Sequence, residues 1–358
     1  MGEKVIKLGV VGLRRGMHVT DTIIGDKNAV VRAICDKNSE RVESTRKYFT
    51  EERNVENLLC FDNFEDMLKS DIDAVFVATD ATCHVPYVIQ AMEAGKHVLS
   101  EIPTVTSVEE AKRLKAAVKA HPELKYMTGE NCCYWAFIEA WKRMHEEGKF
   151  GDIIYAEGEY LHKLGEDLCS DGSWRKHQPA INYITHELGP LLYIMDDKCV
   201  SVSCMEPDIK FNPPYRDAPA NGVALFRTEK GAVIRVFICF GAYVGIDHNF
   251  SLYGTAGMIT TDRTKSLETA HSFASFSDIP GSAEEKIDIP VTMKFAGESV
   301  IGGHGGADAK MIKAFVECII NDTNPPIDVD MGIRMSLPGV IAHESALQGG
   351  AVLEIPEI

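Results

Sequence analysis

The sequence predicts an α/β fold in which a doubly wound parallel sheet is followed by an α+β domain with an open, mainly antiparallel sheet. Short apolar strands alternate with helical patterns up to about residue 130, which is typical of a parallel sheet covered by helices. Strand-like runs dominate after residue 150. The chain has 358 residues, enough for two domains, which we place at 1–130 and 131–358.

The N-terminal pattern is that of a Rossmann unit. An apolar strand at Val5–Val11 precedes the turn Gly12-Leu13-Arg14-Arg15-Gly16 and a helical pattern extending to Ile24. A second strand, Ala29–Ile34, is followed by Asp36. Strand, glycine turn, helix, strand and acid form a dinucleotide-binding unit, although only the first glycine fits the usual G-x-G-x-x-G spacing.

This unit gives each residue of the turn an expected role. Gly12 and Gly16 let the backbone approach a pyrophosphate, and Arg14 and Arg15 lie in the same turn. We expect Asp36 to accept hydrogen bonds from the adenosine ribose, which favours NAD over NADP because a carboxylate repels a 2′-phosphate. The predicted cofactor is NAD.

The remaining elements follow from apolar spacing and turn residues. For the first domain we predict helices after Ser39, at Phe64–Lys69, at Val85–Ala94 and from a Ser107/Glu110 capping box to Ala120, with strands at Ala74–Ala78, His97–Leu99 and Tyr126–Thr128. For the second domain we predict helices at Trp135–Glu147, Ile184–Met195 and Ala307–Ile320, with strands at Asp152–His162, Val200–Met205, Val223–Thr228, Ala232–Phe240 and Phe250–Tyr253. Glu229-Lys230-Gly231 is interpreted as a hairpin turn.

Composition and charge narrow the function classes. The formal charge of −16 argues against nucleic acid or an anionic membrane as a partner. No apolar run is long enough to span a bilayer, and no secretory leader precedes the first strand, so we expect a cytoplasmic protein with reduced cysteines. The ten cysteines include no Cys-x-x-Cys pair, and no metal site is predicted.

Aromatic and imidazole side chains are concentrated between Glu157 and Pro190. Tyr160 and His162 should leave one face of a strand, because side chains two apart on a strand share a face. Tyr183 and His186 should share one side of the first turn of a helix. Two phenols and two imidazoles suit proton transfer and hydroxyl-rich ligands.

Several motifs resemble the Gfo/Idh/MocA oxidoreductase family over nearly the full chain. They include Thr79, His84 and the run Ala94-Gly95-Lys96-His97-Val98-Leu99-Ser100-Glu101-Ile102-Pro103, together with Gly303-His304-Gly305-Gly306 and Asp308. The resemblance implies a Rossmann domain followed by a sheet that often mediates homo-oligomers. It also implies NAD contacts from Thr79, His84, Glu101, Pro103 and Asn131.

The chain departs from ordinary members of that family at one catalytic position. The family usually has Glu-Lys-Pro where this chain has Glu101-Ile102-Pro103, and isoleucine cannot move a proton. The NAD-dependent α-N-acetylgalactosaminidase branch also has an aliphatic residue there. It resembles this chain at Glu130-Asn131, Gly148–Asp152, Tyr160-x-His162, Trp174-Arg175, Tyr183-x-x-His186 and Leu188-Gly189-Pro190.

That branch implies glycoside cleavage through transient oxidation. Hydride leaves the sugar C3, a base removes the C2 proton, the anomeric group is eliminated, water adds and the hydride is returned. Tyr183 and His186 would handle the C3 hydroxyl, while Tyr160, His162 and Arg175 would position the ring. Trp174 and His304 are further candidates for contacting the sugar.

The C2 base is the least determined residue. The branch has a tyrosine shortly before a Gly-Thr-x-Gly turn, here Gly254-Thr255-Ala256-Gly257, and an ungapped count places Ile246 at that point. Tyr243 or His248 could substitute after a small shift, and Tyr243 is the catalytic candidate.

Two other functions remain open at this stage. The first is a net NAD(P)-dependent sugar or polyol dehydrogenase in which His186 replaces the missing lysine. The second is a non-catalytic sensor of a dinucleotide or sugar. Sugar identity, anomeric preference and oligomeric state are not determined by the sequence.

Overall fold

The computed structural model describes residues 5–169, 173–243, 245–267, 270–293 and 303–358. The helices are α1 (Arg15–Asp21), α2 (Ser39–Lys47), α3 (Phe64–Leu68), α4 (His84–Glu93), α5 (Val108–Ala120), α6 (Ala136–Glu146), α7 (Trp174–His177), α8 (Thr185–Met195), α9 (Ala307–Asn321) and α10 (Val329–Leu347). The strands are β1 (Ile6–Val11), β2 (Ala29–Cys35), β3 (Leu59–Phe61), β4 (Ala74–Val77), β5 (His97–Ser100), β6 (Tyr126–Thr128), β7 (Ile153–Leu161), β8 (Cys199–Met205), β9 (Asn221–Thr228), β10 (Val233–Cys239), β11 (Asp247–Gly254), β12 (Gly257–Thr261), β13 (His271–Phe276), β14 (Ile287–Pro290) and β15 (Leu353–Glu354).

The described residues form two compact units, of which the first is discontinuous in sequence. Residues 5–131 and 303–333, with Ile358, form unit 1, and residues 132–293 and 334–357 form unit 2. The first boundary falls one residue from the predicted one. The prediction that 131–358 is a single second domain differs from this division, because α9 packs with α1 and β5 of unit 1.

Unit 1 contains a six-stranded parallel sheet. The strand order is β3-β2-β1-β4-β5-β6, which is the order of a doubly wound dinucleotide-binding fold. All four residues of β4 are buried, as are most of β1, because helices cover both faces of such a sheet. The parallel sheet expected from the alternating pattern is confirmed.

Unit 2 contains a nine-stranded, mainly antiparallel sheet. Its order is β14-β13-β12-β11-β7-β10-β9-β8-β15, and β7 pairs in parallel with β10 but antiparallel with β11. The predicted hairpin between β9 and β10 is present. Gly231 supplies its positive backbone angle, with φ of +97°.

Helix α8 packs closely against β7, and this contact positions the candidate site. A Cβ placed on Gly158 would lie 2.7 Å from Cβ of Glu187. Glycine at this position therefore allows the first turn of α8 to approach the strand. The same approach brings residues 183–187 beside the carboxyl end of β7.

Some elements differ from the sequence-based expectation. Strands β3, β12, β13, β14 and β15 and helices α7 and α10 were not predicted, and α1 ends at Asp21 rather than near Ile24. In the capping box, Ser107 Oγ accepts from the N–H of Glu110 as expected, but the Glu110 carboxylate accepts from the N–H of Thr106. Within the described part of the chain, none of the helices has the length and apolarity needed to cross a membrane.

Candidate active site and cofactor site

The structure of unit 2 brings together the four aromatic and imidazole residues that the sequence singled out. Tyr160 lies near the end of β7, and its hydroxyl is 2.8 Å from Nδ1 of His162. The Tyr183 ring centroid lies 6.4 Å from that of Tyr160 and 5.2 Å from that of His186. Tyr183 belongs to a 3-10 turn that precedes α8, rather than to the helix itself. These side chains form one cluster, as the sequence pattern predicts.

A buried carboxylate–imidazole pair lies beneath this cluster. His248 on β11 is paired in register with Tyr160, and its ring stacks on the tyrosine at 4.4 Å with an interplanar angle of 14°. Nδ1 of His248 lies 2.6 Å from Oε1 of Glu187, which is fully buried. Glu187 was not among the predicted site residues, and His248 was named only as an alternative base. The β7–β11 pairing that joins them could not be read from local sequence.

Burial determines the protonation state of the central phenol. It raises the pKa of Tyr160 well above its ordinary value, and the neighbouring Tyr183 and Glu187 act in the same direction. Tyr160 is therefore a neutral phenol at physiological pH, able to donate to or accept from His162. Nδ1 of His186 in turn lies 3.2 Å from Sγ of Cys132.

A cavity of about 90 Å³ opens beside the cluster within unit 2. The Arg175 guanidinium lies over the Trp174 ring at 4.4 Å and near the Tyr183 ring at 6.0 Å. Such cation–π stacking fixes the guanidinium plane and leaves its N–H edges available to a ligand. The cavity is lined by Tyr160, His162, Leu164, Leu168, Trp174, Arg175, Gln178, Pro179, Tyr183, Arg216 and Phe240.

Two predicted site residues are not part of this cluster. Tyr243 has 92% of its surface exposed, and its ring contacts the Lys163 ammonium at 4.7 Å. His304 belongs to unit 1, where its Nδ1 lies 3.1 Å from the Asp308 carboxylate. Tyr243 lies in a bend that follows β10, outside the two strands.

In unit 1 the glycine turn and Asp36 lie where a nucleotide site requires them. Gly12 has φ of +89°, and a Cβ there would lie 2.3 Å from the carbonyl oxygen of Ala78, so no other residue fits. Burial alone would raise the pKa of Asp36, but the N–H groups of Leu13 and Asn38 hold it below its usual range, with help from Arg41. Oδ1 accepts from Asn38 and Arg41 and Oδ2 from Leu13 and Arg41, so ribose hydroxyls would replace Arg41 on this carboxylate. This donor and acceptor set fits NAD.

The other predicted cofactor residues form an ionic network in unit 1. The Arg15 guanidinium donates to Asp308 at 2.6 and 2.7 Å and to Glu101 at 2.9 Å. Asn131 donates to Asp308 at 2.8 Å. Arg14 is the exposed N-cap residue of α1. Gly16 is buried in α1, where a Cβ would lie 2.8 Å from Cγ1 of Val10.

His84 connects two segments of unit 1 rather than facing solvent. It is buried, with Nδ1 3.0 Å from the carbonyl oxygen of Pro103 and Nε2 3.1 Å from that of Thr79. Both segments follow the carboxyl ends of strands, which is the edge where doubly wound sheets bind ligands. His84 thus fixes the relative positions of two loops predicted to contact NAD. Ile102, between Glu101 and Pro103, is buried and aliphatic.

The strand order, glycine turn and strand-end carboxylate define an NAD-binding oxidoreductase-type enzyme. Residues 6–129 match the model described as oxidoreductase family, NAD-binding Rossmann fold, and residues 138–260 match the GFO/IDH/MocA C-terminal domain. Residues 223–358 also match the C-terminal domain of glycosyl hydrolase 109. The chain belongs to the Gfo/Idh/MocA oxidoreductase family, and it is an NAD-dependent enzyme.

Similar proteins include several named glycosyl hydrolase family 109 proteins. The one from Solibacter usitatus is 26% identical, covering 98% of this chain and 88% of the relative. The one from Saccharopolyspora erythraea is 27% identical, covering 99% of this chain and 83% of the relative. The one from Bacteroides fragilis is 28% identical, covering 91% of this chain and 79% of the relative.

Solved structures with the same fold include sugar and inositol dehydrogenases. A levoglucosan dehydrogenase in complex with NADH has a TM-score of 0.83 at 20% identity, covering 99% of this chain and 100% of that one. A scyllo-inositol dehydrogenase from Lactobacillus casei has a TM-score of 0.77 at 21% identity, covering 99% of each chain. At this identity the likeness establishes the fold.

Proposed function

We propose that this protein cleaves a glycosidic bond through transient oxidation of the sugar, with no net change in NAD. The observation that carries the proposal is the Tyr160–His162–Tyr183–His186 cluster beside a cavity in unit 2, supported by the buried His248–Glu187 pair. Ile102 occupies the position of the usual family lysine, so proton transfer must come from other side chains. The names of the relatives support a glycosidase, and those of the structural neighbours support a carbohydrate substrate.

The first task of the site is to hold the C3 hydroxyl and take its proton. Tyr183 and His186, with ring centroids 5.2 Å apart, are assigned this role because a phenol and an imidazole can exchange a proton with an alcohol. NAD, held by the glycine turn and Asp36 of unit 1, would supply the hydride acceptor for this oxidation. Tyr160, His162 and Arg175 position the ring, and Trp174 offers an aromatic face for its C–H groups.

The second task is removal of the C2 proton, which the C3 ketone acidifies. We assign it to His248 rather than to Tyr243, because His248 stacks on Tyr160, a residue that lines the cavity, while Tyr243 is exposed. The Glu187 carboxylate orients the His248 ring and stabilises its protonated form, as carboxylates do in other proton-transfer pairs. Elimination then releases the aglycone, water adds at C1, and C2 is reprotonated.

Unit 1 supplies the cofactor-binding residues in this proposal. Gly12 allows close approach of the turn, and Asp36 binds the adenosine ribose. Arg14, Arg15, Gly16 and Asn131 complete the expected site, along with the loops of Thr79, Glu101 and Pro103 that His84 connects. His304 remains a proposed sugar contact on the sequence resemblance alone.

The experiment is incubation of the purified protein with nitrophenyl glycosides in D₂O, following NADH absorbance and product NMR. Aglycone release with deuterium at C2 and no accumulated NADH is expected. The Tyr183→Phe variant should lose most turnover. Tyr253→Phe, which alters a phenol outside the cavity lining, should not. Tight NAD binding without turnover of any sugar would instead indicate a sensor.

A net sugar or polyol dehydrogenase is the second candidate, favoured by the fold it shares with levoglucosan and inositol dehydrogenases. His186 would then take the proton of the reacting hydroxyl in place of the lysine. Stoichiometric NADH without bond cleavage would establish this alternative and exclude the glycosidase.

A further inference from the structure

Among the described residues, those that line the cavity of unit 2 include positive charges and no acidic side chain. Two arginines, Arg175 and Arg216, are among its eleven lining residues, and no aspartate or glutamate is among the described residues that line it. This contrasts with the whole chain, whose formal charge is −16. The charge of the cavity is therefore a local feature, opposite in sign to that of the protein.

The hydrogen-bond partners of Arg216 within the described part of the chain are all neutral groups. It is 4% exposed, and its Nη1 and Nη2 donate to the carbonyl oxygens of Arg175 and Gln178, each at 2.8 Å. Nη1 also lies 3.8 Å from Sγ of Cys169. Nε of Arg216 and Oε1 of Gln178 have no hydrogen-bond partner among the described residues. The guanidinium thus fixes the 175–178 segment while its charge is not neutralised.

A buried cation in such surroundings is energetically unfavourable. Burial lowers the pKa of Arg216, and the nearby positive charge of Arg175 acts in the same direction. Buried arginines are ordinarily paired with a carboxylate, because backbone carbonyls supply dipoles but no net charge. Nothing in the fold of the described residues supplies that anion, which points to a ligand.

We propose that the cavity selects glycosides whose sugar carries an anionic substituent, such as the carboxylate of a uronic acid or a sulfate ester. Arg175, stacked on Trp174, contacts the anionic group, and Arg216 supplies charge beneath it. A planar guanidinium binds carboxylate or sulfate oxygens through paired N–H groups. This inference rests on the proposed glycoside-cleaving function and names its substrate class.

The test compares matched substrates that differ in charge. Nitrophenyl glucuronide is compared with the glucoside, galacturonide with galactoside, and a 6-sulfated glycoside with its unsulfated form. We expect kcat/KM to be roughly tenfold to a hundredfold higher for the anionic member, as for one charge-assisted hydrogen bond. A preference confined to the uronides would indicate a carboxylate, and one confined to the 6-sulfated glycoside would indicate a sulfate ester. Equal kcat/KM within every pair would overturn the proposal.

Two variants assign the preference to these residues. Arg216→Met should abolish most of the preference, and Gln178→Glu, which adds a carboxylate to the cavity, should reduce it. Arg227→Met removes an exposed arginine of β9 outside the cavity lining and should leave the ratio unchanged. If Arg216→Met does not fold, Gln178→Glu carries the test, and an unchanged ratio in that variant would contradict the proposal.

Binding of an anionic sugar to the cavity can be measured even if the protein cleaves no glycoside. If no glycoside is cleaved, calorimetric titration with glucuronate and glucose measures binding directly. Tighter binding of glucuronate than of glucose, with the difference lost in Arg216→Met or Gln178→Glu, would support the anionic site. In that case only the proposed glycosidase activity would be excluded. Equal or absent binding of both sugars overturns the inference.

Discussion

In the proposed reaction, single side chains of unit 2 move the protons. Glu187 and His248, whose carboxylate and imidazole lie 2.6 Å apart, are both buried. Each side chain can be replaced without changing the backbone pairing of the strands. We expect His248→Asn to lower kcat by roughly a hundredfold to ten thousandfold, because it removes a proton-transfer group. Glu187→Gln should lower kcat less, since the imidazole stays in place. Steady-state kinetics on the cleaved glycoside measure both effects.

The control for these variants is an exposed histidine on the same sheet. His271 on β13 pairs with Asp288 at the surface, and His271→Asn should leave kcat unchanged. Full activity in His248→Asn would contradict the assignment of His248 as the base. Unchanged NAD affinity in both site variants would show that the cofactor site is intact.

Asp308 makes unit 1 sensitive to acid. Burial alone would raise its pKa, but hydrogen bonds from His304 and Arg15 hold it well below its ordinary value. A lowered folded-state pKa stabilises the fold above the unfolded pKa of about 4, and this stabilisation is lost as pH falls through the folded-state pKa. Asp308→Asn should therefore lower the free energy of unfolding by about 2–3 kcal/mol at neutral pH, with a smaller difference below pH of about 4.

Urea denaturation at several pH values checks this expectation. Glu43→Gln, which breaks an exposed ion pair with Arg46 on α2, is the matched control and should show no measurable change. A difference between wild type and Asp308→Asn that stays constant down to strongly acidic pH would contradict the linkage.

Between elements, the contact of α8 with β7 depends on one glycine. Gly158→Ala would place a Cβ 2.7 Å from Cβ of Glu187, and the helix must shift to accept it. We expect a loss of about 1–3 kcal/mol of stability, as for overpacking elsewhere, and reduced turnover because Glu187 moves. Thermal denaturation and kinetics measure the two effects. Gly245→Ala, with open space around its Cβ position, should change neither.

Elements with strong local patterns were predicted from the sequence, and those that depend on distant contacts were not. Helix α10 contains Pro338, Gly332 and Gly339, which disfavour a helix. In the structure those glycines are required by packing, since a Cβ at Gly332 would lie 2.0 Å from Thr128 and one at Gly339 2.6 Å from the carbonyl oxygen of Ile181. Tertiary packing thus outweighs propensity.

The same distinction holds for the candidate site. Tyr160, His162, Tyr183 and His186 were found because they lie within about thirty residues of chain, on elements with clear periodicity. Glu187 and Arg216 were missed because their importance arises from burial and long-range contact. Choosing Tyr243 over His248 reflected the unknown register of β11 against β7, which a local pattern does not determine.

At the scale of the whole molecule, one face of the nine-stranded sheet carries exposed apolar side chains that suit contact with a second copy of the chain. Alternate residues of β9 are exposed on this face, including Val223 at 38% and Leu225 at 49%, beside Met205 at 65% on β8. We expect a homo-oligomer formed through this face, and Leu225→Lys should shift it toward the monomer by burying a charge. Light scattering coupled to gel filtration measures the mass. Val30→Lys, on β2 of unit 1, is the control, and a monomeric wild type would contradict the expectation.

The discontinuity of unit 1 has a consequence for how the chain folds during synthesis. Arg15 emerges from the ribosome early, yet Asp308, its buried partner, is 293 residues further along the chain. Residues 132–306 must be translated before α9 is available, so part of one face of the nascent Rossmann sheet stays uncovered until then. Such late closure slows folding and prolongs exposure of apolar surface to chaperones. A fragment ending near residue 131 would keep that exposed face permanently.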